Sequence, residues 1–213
     1  MTNVKSLRSA LVPWLRIVIA LFFIGVIFAL VLNVLQVQRN VAAFSRDVLS
    51  GLALFGLSMS TWWMLPSYGT GAVLIGLAFP CADHHLGESP KIKNEWTSIM
   101  RCTALWIGIN HAAATLNFST PAQLTFWVSA MSLCLWWLYD RTRTGLFLAM
   151  LSAVVATGFN QILVSNGVFS YNEPDLLSVK SWLPSIYFSG GLTIGNIGRQ
   201  LVVYEDLYKP HQD

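Results

Sequence analysis

A chain of 213 residues with 54% hydrophobic and only 11% charged side chains, and a mean hydropathy of +0.56, carries more apolar surface than a soluble domain can hide. About a quarter of the residues in such a domain are charged. The net charge of +3 is small and dispersed, with no basic stripe interleaved with aromatics, which argues against nucleic-acid binding. Cys81, Cys102 and Cys134 are isolated, so neither a disulfide framework nor a zinc site is expected.

A membrane-crossing helix needs about 20 mainly apolar residues. The start, Met1–Arg8, precedes a long apolar run without a small-residue cleavage site, so a retained first helix is expected over 15–37. The next apolar region, 48–80, is interrupted by Pro66, Gly69 and Gly71. It reads either as two spans or as one span after an interfacial segment. Basic residues decide, because Lys and Arg accumulate in cytoplasmic loops. One span, over 62–80, puts ten of the thirteen basic residues on the side of the N-terminus, the 81–101 loop, the 140–144 loop and the C-terminus. Two spans would give four against nine. The Trp62-Trp63 pair then sits at the luminal interface, where amphipathic rings are favoured.

Further spans are expected over 101–118, 121–139, 145–168 and 182–204, joined by short connections with turn residues such as Asn172 and Pro174. The predicted fold class is therefore all-α. It is a polytopic membrane protein, a bundle of six transmembrane helices in one domain over 1–213, with both termini cytosolic and a tail at 205–213.

Candidate chemistry is sparse. Asp83-His84-His85, with Glu88 and Glu95 nearby, is the one His/acid cluster, but the ligands converge from too few elements for a metal centre. The plainer reading is a polar helix end, with Pro80 stopping the second span. No serine elbow, phosphate loop or paired buried carboxylates are apparent, so no catalytic residue and no cofactor is expected. Asp140 lies against a span end beside Arg141 and Arg143, which can neutralise it; a docking point for another protein is the alternative. The amides Asn33, Asn110, Asn160, Gln161 and Asn196 are expected to hydrogen-bond between helices; a small multi-pass lipid or solute carrier would use them as a polar path instead. Gly191, Gly195 and Gly198 share one face of the last span and allow close approach of another helix, within the bundle or on a second protein. At the C-terminus, Lys209 and His211 are the fifth and third residues from the end, the K-x-H-x-x pattern of a retrieval signal to the endoplasmic reticulum.

Several stretches, in order, resemble one family. They are Pro80–Glu88 and Glu95–Cys102 after the second span, Gly108–Ala112 in the third, Leu135–Gly145 at the end of the fourth, and Ser181–Pro184 with Gly195–Leu201 in the sixth. From about Phe22 onward the chain is similar to the Insig proteins of the endoplasmic reticulum membrane. The resemblance implies a non-enzymatic regulator of sterol synthesis that binds an oxysterol such as 25-hydroxycholesterol. It would retain the escort protein SCAP with its cargo SREBP, and present HMG-CoA reductase to membrane-bound ubiquitin ligases.

By position, the resemblance puts sterol contacts on Trp106, Gln123, Trp127 and Trp136, with Asn110 a neighbour. Trp106 stands where the vertebrate pattern has Phe and Trp127 where it has Thr, both adding bulk to the expected groove. Asp140 corresponds to the acid needed for SCAP binding and Thr142 to a phosphorylatable Ser. Lys91 and Lys93 correspond to lysines that receive ubiquitin.

Overall fold

The computed structural model describes residues 2–39, 41–44, 53–54, 57–58, 64–87, 95–167 and 169–207. These residues form six helices: α1 (Thr2–Gln38), α2 (Met64–Leu86), α3 (Trp96–Thr115), α4 (Pro121–Tyr139), α5 (Arg143–Ser165) and α6 (Leu183–Leu207). Four very short strands accompany them: β1 (Ala42–Phe44), β2 (Ala53–Leu54), β3 (Leu57–Ser58) and β4 (Phe169–Tyr171). The expected all-helical class is found. By length and composition α1, α2 and α5 could each cross a membrane, over Pro13–Gln36, Leu65–Leu86 and Arg143–Ser165.

Helix ends differ from the apolar runs. α1 begins at Thr2 rather than at residue 15, because an apolar count stops where polar residues enter while the helix itself does not. α3 starts at Trp96 and ends at Thr115, where Leu116 turns extended as its C-cap. The largest correction concerns Pro80, which does not stop α2; the helix runs through it to Leu86. Proline lacks an N–H and so frees the carbonyl four residues back, that of Gly76. Gly198 of α6 packs directly on this oxygen: a Cβ there would lie 1.8 Å from it. Beyond the proline, an ion pair from Asp83 to α6 holds the last turn.

α6 is the hub. It packs against each of the other five helices, and every residue from Phe188 to Gln200 is buried. Its glycines fix the approach distances. Gly191 abuts Ser152 of α5, and Gly195 abuts the ring of Phe79 of α2. The close-packing partner of the glycine face is thus inside the bundle, on two neighbours. Small residues matter here because helices in lipid associate by close van der Waals contact rather than by expelling water. The outward faces are apolar too, with Phe23, Leu74, Phe147 and Val154 among the exposed side chains.

β1 pairs antiparallel with β4, Ala42 opposite Tyr171 and Phe44 opposite Phe169. This ties the α1–α2 connection to the α5–α6 connection. At the other end of the bundle, Arg16 of α1 lies 3.8 Å from Glu205 of α6.

Candidate ligand cavity and buried charge cluster

Two features stand out: an apolar cavity between helices and a charge cluster that locks their ends. The cavity has a volume of about 770 Å³ and is walled by α1, α2, α5, α6 and Trp106 of α3. That lies within the range of about 300–1,000 Å³ for small-ligand sites. Its α2 wall runs from Pro66 to Phe79, roughly 20 Å at 1.5 Å per residue. Leu74, Leu151, Val155 and Phe159 line the cavity and are also exposed outward. The cavity therefore opens sideways between α2 and α5, towards the bundle's apolar exterior.

Trp106 is buried in the wall. Its ring packs 5.0 Å from that of Phe28, and its indole N–H donates to the Ile186 carbonyl at 3.4 Å. Gly190 makes room for that ring. At one end of the cavity polar groups gather. Asn160 Nδ2 donates to the Tyr187 hydroxyl at 2.6 Å and to the Ala156 carbonyl at 2.9 Å. Tyr68 hydrogen-bonds both Tyr187 and Asn160.

The charge cluster centres on Arg199, 4% exposed. Its Nε and Nη2 donate to the two carboxylate oxygens of Asp83, at 2.6 and 3.0 Å. Nη1 lies 3.1 Å from Asp140 Oδ1 and donates to Asn196 Oδ1 at 2.9 Å. The guanidinium also rests over the Phe79 ring, 4.9 Å from its centre. One arginine thereby joins α2, the α4–α5 turn and α6.

The turn is built around Asp140, whose side chain is 0% exposed. Asp140 Oδ1 accepts from the Thr142 hydroxyl at 2.6 Å. That hydroxyl in turn accepts from Gly145 N at 2.9 Å, capping α5. The Trp136 indole donates to the Thr142 carbonyl at 3.1 Å. Gly145 is required by contact: a Cβ would meet Asp140 Oδ2 at 1.7 Å.

These findings correct the sequence reading in three respects. Asp140 pairs with Arg199; Arg141 instead lies over the Trp137 ring, 4.6 Å from its centre, and donates to the Trp137 carbonyl. Asp83 binds Arg199 and is not simply a hydrated helix end. Two largely buried carboxylates, distant in sequence, do meet at one guanidinium. Arg199 itself was missed as a site residue, although an arginine set among glycines in an apolar span was a signal that it is paired internally.

The expected sterol contacts divide between two faces. Trp106 and Asn110 point inward, and Asn110 Nδ2 donates to the Trp106 carbonyl one turn back at 2.8 Å. Gln123 and Trp127 lie on the outer face of α4, with Trp127 51% exposed. The bulk of Trp127 therefore projects out of the bundle and fills no internal groove. Trp136 is half-buried at the end of α4. Of the amides, Asn33 and Asn110 donate within their own helices. Asn160 and Asn196 do reach across, to Tyr187 and to the Tyr139 carbonyl. Trp62, Trp63, Lys91, Lys93, Lys209 and His211 lie outside the described residues.

The family model "Insulin-induced protein (INSIG)" matches residues 16–202. The insulin-induced gene 2 protein of Gallus gallus is 52% identical over 187 residues, covering 88% of this chain and 81% of that one. The insulin-induced gene 1 protein of Homo sapiens is 51% identical over 195 residues, covering 92% and 68%. Among solved structures, a mycobacterial Insig homologue from Mycobacterium vanbaalenii superposes with a TM-score of 0.76 at 18% identity. It covers 92% of this chain and 97% of that one, a likeness of fold.

Proposed function

The chain belongs to the insulin-induced protein (INSIG) family and is a membrane protein, and from that premise we propose that it is an oxysterol-binding regulator of cholesterol synthesis. It retains the SCAP–SREBP complex in the endoplasmic reticulum and promotes sterol-dependent degradation of HMG-CoA reductase through ubiquitin ligases. The observation that carries this reading is the lipid-facing apolar cavity with Trp106 in its wall. A rigid, largely apolar ligand with few polar groups suits such a site. The exposed α3–α4 surface, with Gln123 and Trp127, is the face offered to SCAP. Trp136, at the end of α4, connects that face to the charge cluster.

Asp140 serves SCAP binding as a positioning residue. Being fully buried, it acts by fixing the 139–143 turn and Trp136 rather than by touching the partner. The ligand favours the partner-competent arrangement only through its differential affinity for that state. Thr142, if phosphorylated, must first leave its cap, because its hydroxyl is enclosed by Asp140, Gly145 and Arg199.

The topology we propose is six spans with both termini in the cytosol. Three contacts support it: the β1–β4 pairing at one end, the meeting of Asp83, Asp140 and Arg199 near the other, and the approach of Arg16 to Glu205. Lys91 and Lys93 then face the cytosol as ubiquitin acceptors, and Lys209 with His211 forms the retrieval signal.

A photoreactive 25-hydroxycholesterol crosslinked in endoplasmic reticulum membranes tests the reading. It should label cavity residues around Trp106, and SCAP should co-purify only with sterol. Asp140→Ala should lose that co-purification. Labelling confined to other surfaces, or co-purification indifferent to sterol, would overturn it.

A further inference from the structure

We propose that Arg141 and Arg143 form a headgroup site for one acidic phospholipid, seated at the α4–α5 turn with its acyl chains along the seam between these two helices. The site begins with charge left over. Asp140, the acid next to them in sequence, turns inward to Arg199. Asp83 is bound to the same guanidinium, and Glu205 lies beside Arg16. Neither Arg141 nor Arg143 has an acidic partner among the described residues. Both side chains are exposed, so the turn carries two positive charges with nothing to neutralise them.

Arg141 is also held in place. Its backbone lies in the left-handed region, with φ 60°, which a residue with a Cβ rarely adopts. Its Nε is spent on the Trp137 carbonyl at 2.6 Å. The guanidinium rests on the Trp137 ring, 4.6 Å from its centre. What remains is the planar pair Nη1 and Nη2, the edge of the fork that matches two phosphate oxygens. A strained residue whose free donors share one edge is arranged for an anion.

Position selects the anion. The membrane-crossing run of α5 begins at Arg143 itself, and Trp137, 57% exposed, stands on the last turn of α4. The arginines therefore sit at headgroup depth, with the indole at the interface where such rings are favoured. Below Arg143, on the same face of α5, Phe147 and Met150 are exposed; below Trp137, one turn back, so is Leu133. Around α6 the other helices follow in the order α5, α2, α1, α3, α4, each packed on the next, and the ring is open only between α4 and α5. A phosphate at the turn thus has an apolar seam directly beneath it for acyl chains. In the six-span topology the turn faces the cytosolic leaflet, which carries the acidic lipids. A choline headgroup fits worse, because its ammonium meets the arginines.

Native mass spectrometry of the full chain in neutral detergent, titrated with dioleoylphosphatidic acid and separately with dioleoylphosphatidylcholine, tests the site. The parent should bind one phosphatidic acid about tenfold more tightly than phosphatidylcholine, the scale of two basic residues at an acidic membrane surface. R141Q/R143Q should bind the two lipids alike, with its phosphatidylcholine affinity unchanged. Arg143→Gln alone leaves the Trp137 stack intact and should lose about threefold of the preference. Arg101→Gln removes an exposed arginine of α3 and should keep the parent's preference. Glycerol 3-phosphate should not displace the lipid.

Equal binding of both lipids by the parent overturns the proposal and leaves the arginine pair to an acidic segment of another protein. A parent-like preference in R141Q/R143Q or in Arg143→Gln also overturns it. So does an equal loss in Arg101→Gln, which would mark net charge rather than a site. Weakened phosphatidylcholine binding in R141Q/R143Q overturns it as well, because the seam rather than the headgroup contact would have changed. Displacement by glycerol 3-phosphate overturns a lipid as the occupant.

Discussion

Asp140 and Arg199 approach to 3.1 Å with side chains 0% and 4% exposed, so the turn after α4 is fastened to α6 by a pair that water does not reach. Breaking a buried pair by removing one partner leaves an uncompensated charge, at a cost of roughly 3–5 kcal/mol. Arg199→Met is the severe case, since it strands two carboxylates. It should yield aggregated protein or a strongly lowered Tm in detergent. Asp83→Asn should be milder, because Asp83 is partly exposed and Asp140 still balances the guanidinium. An Arg199→Met protein that melts like the parent would show that the cluster is hydrated.

Gly198→Ala changes one methyl group at the tightest contact between α2 and α6. The new Cβ would lie 1.8 Å from a backbone oxygen, which no rotamer change can relieve. Over-packing of this kind costs about 1–3 kcal/mol or more as backbones shift. Gly158→Ala, whose Cβ meets nothing within 4 Å, is the matched control and should keep or raise the Tm. Equal melting of the two variants would remove close backbone approach as the reason for glycine at 198.

Trp127→Ala and Gln123→Ala alter an exposed surface and should leave Tm close to the parent value. Truncating an aromatic anchor at an interface often costs 2 kcal/mol or more in binding. SCAP co-purification should therefore fall about tenfold or more in Trp127→Ala, while sterol binding in the cavity persists. Loss of sterol binding together with partner binding would move the ligand to the outer face of α4.

Tyr171, in β4, offers a pH test. Burial, with a smaller contribution from nearby Tyr68, holds its phenol well above the ordinary value of 10. The folded state thus favours the neutral form, and the stability this contributes is complete below pH 10 and lost as pH rises above it. Tyr171→Phe has no phenol to ionise. Its Tm relative to the parent should improve between pH 8 and about pH 11. A constant difference across that range would mean that Tyr171 ionises freely in the folded protein.

The order of the helices was legible because long apolar runs mark them, three of which, in α1, α2 and α5, are long and apolar enough to cross a membrane. Their ends were not, since helix continuation depends on contacts as well as composition: α2 runs through Pro80 to Leu86, with Gly198 packed against the freed Gly76 carbonyl and Asp83 bound to Arg199. Trp106 and Asn110, four residues apart, plainly share a helical face, as do Gln123 and Trp127. Which face looks inward was hidden, because in lipid both sides of a helix are apolar and hydropathy no longer marks the core. Internal packing was legible only where small residues recurred, as at Gly191, Gly195 and Gly198. The cavity was invisible for a different reason: it is a gap between α2 and α5, and a gap has no residue of its own.

The central place of α6 bears on how the chain is made. A helix that touches all five others and is synthesised after them cannot take part in their first packing. Until it arrives, Asp83 and Asp140 stand at the ends of α2 and α4 without their counter-ion, and the glycine seats on α2 and α5 are empty. A chain halted before Arg199 is therefore a recognisable half-product, carrying two unmatched acids at the ends of α2 and α4. Its completion is a single event, the docking of one helix, which closes the charge cluster and the wall of the cavity together.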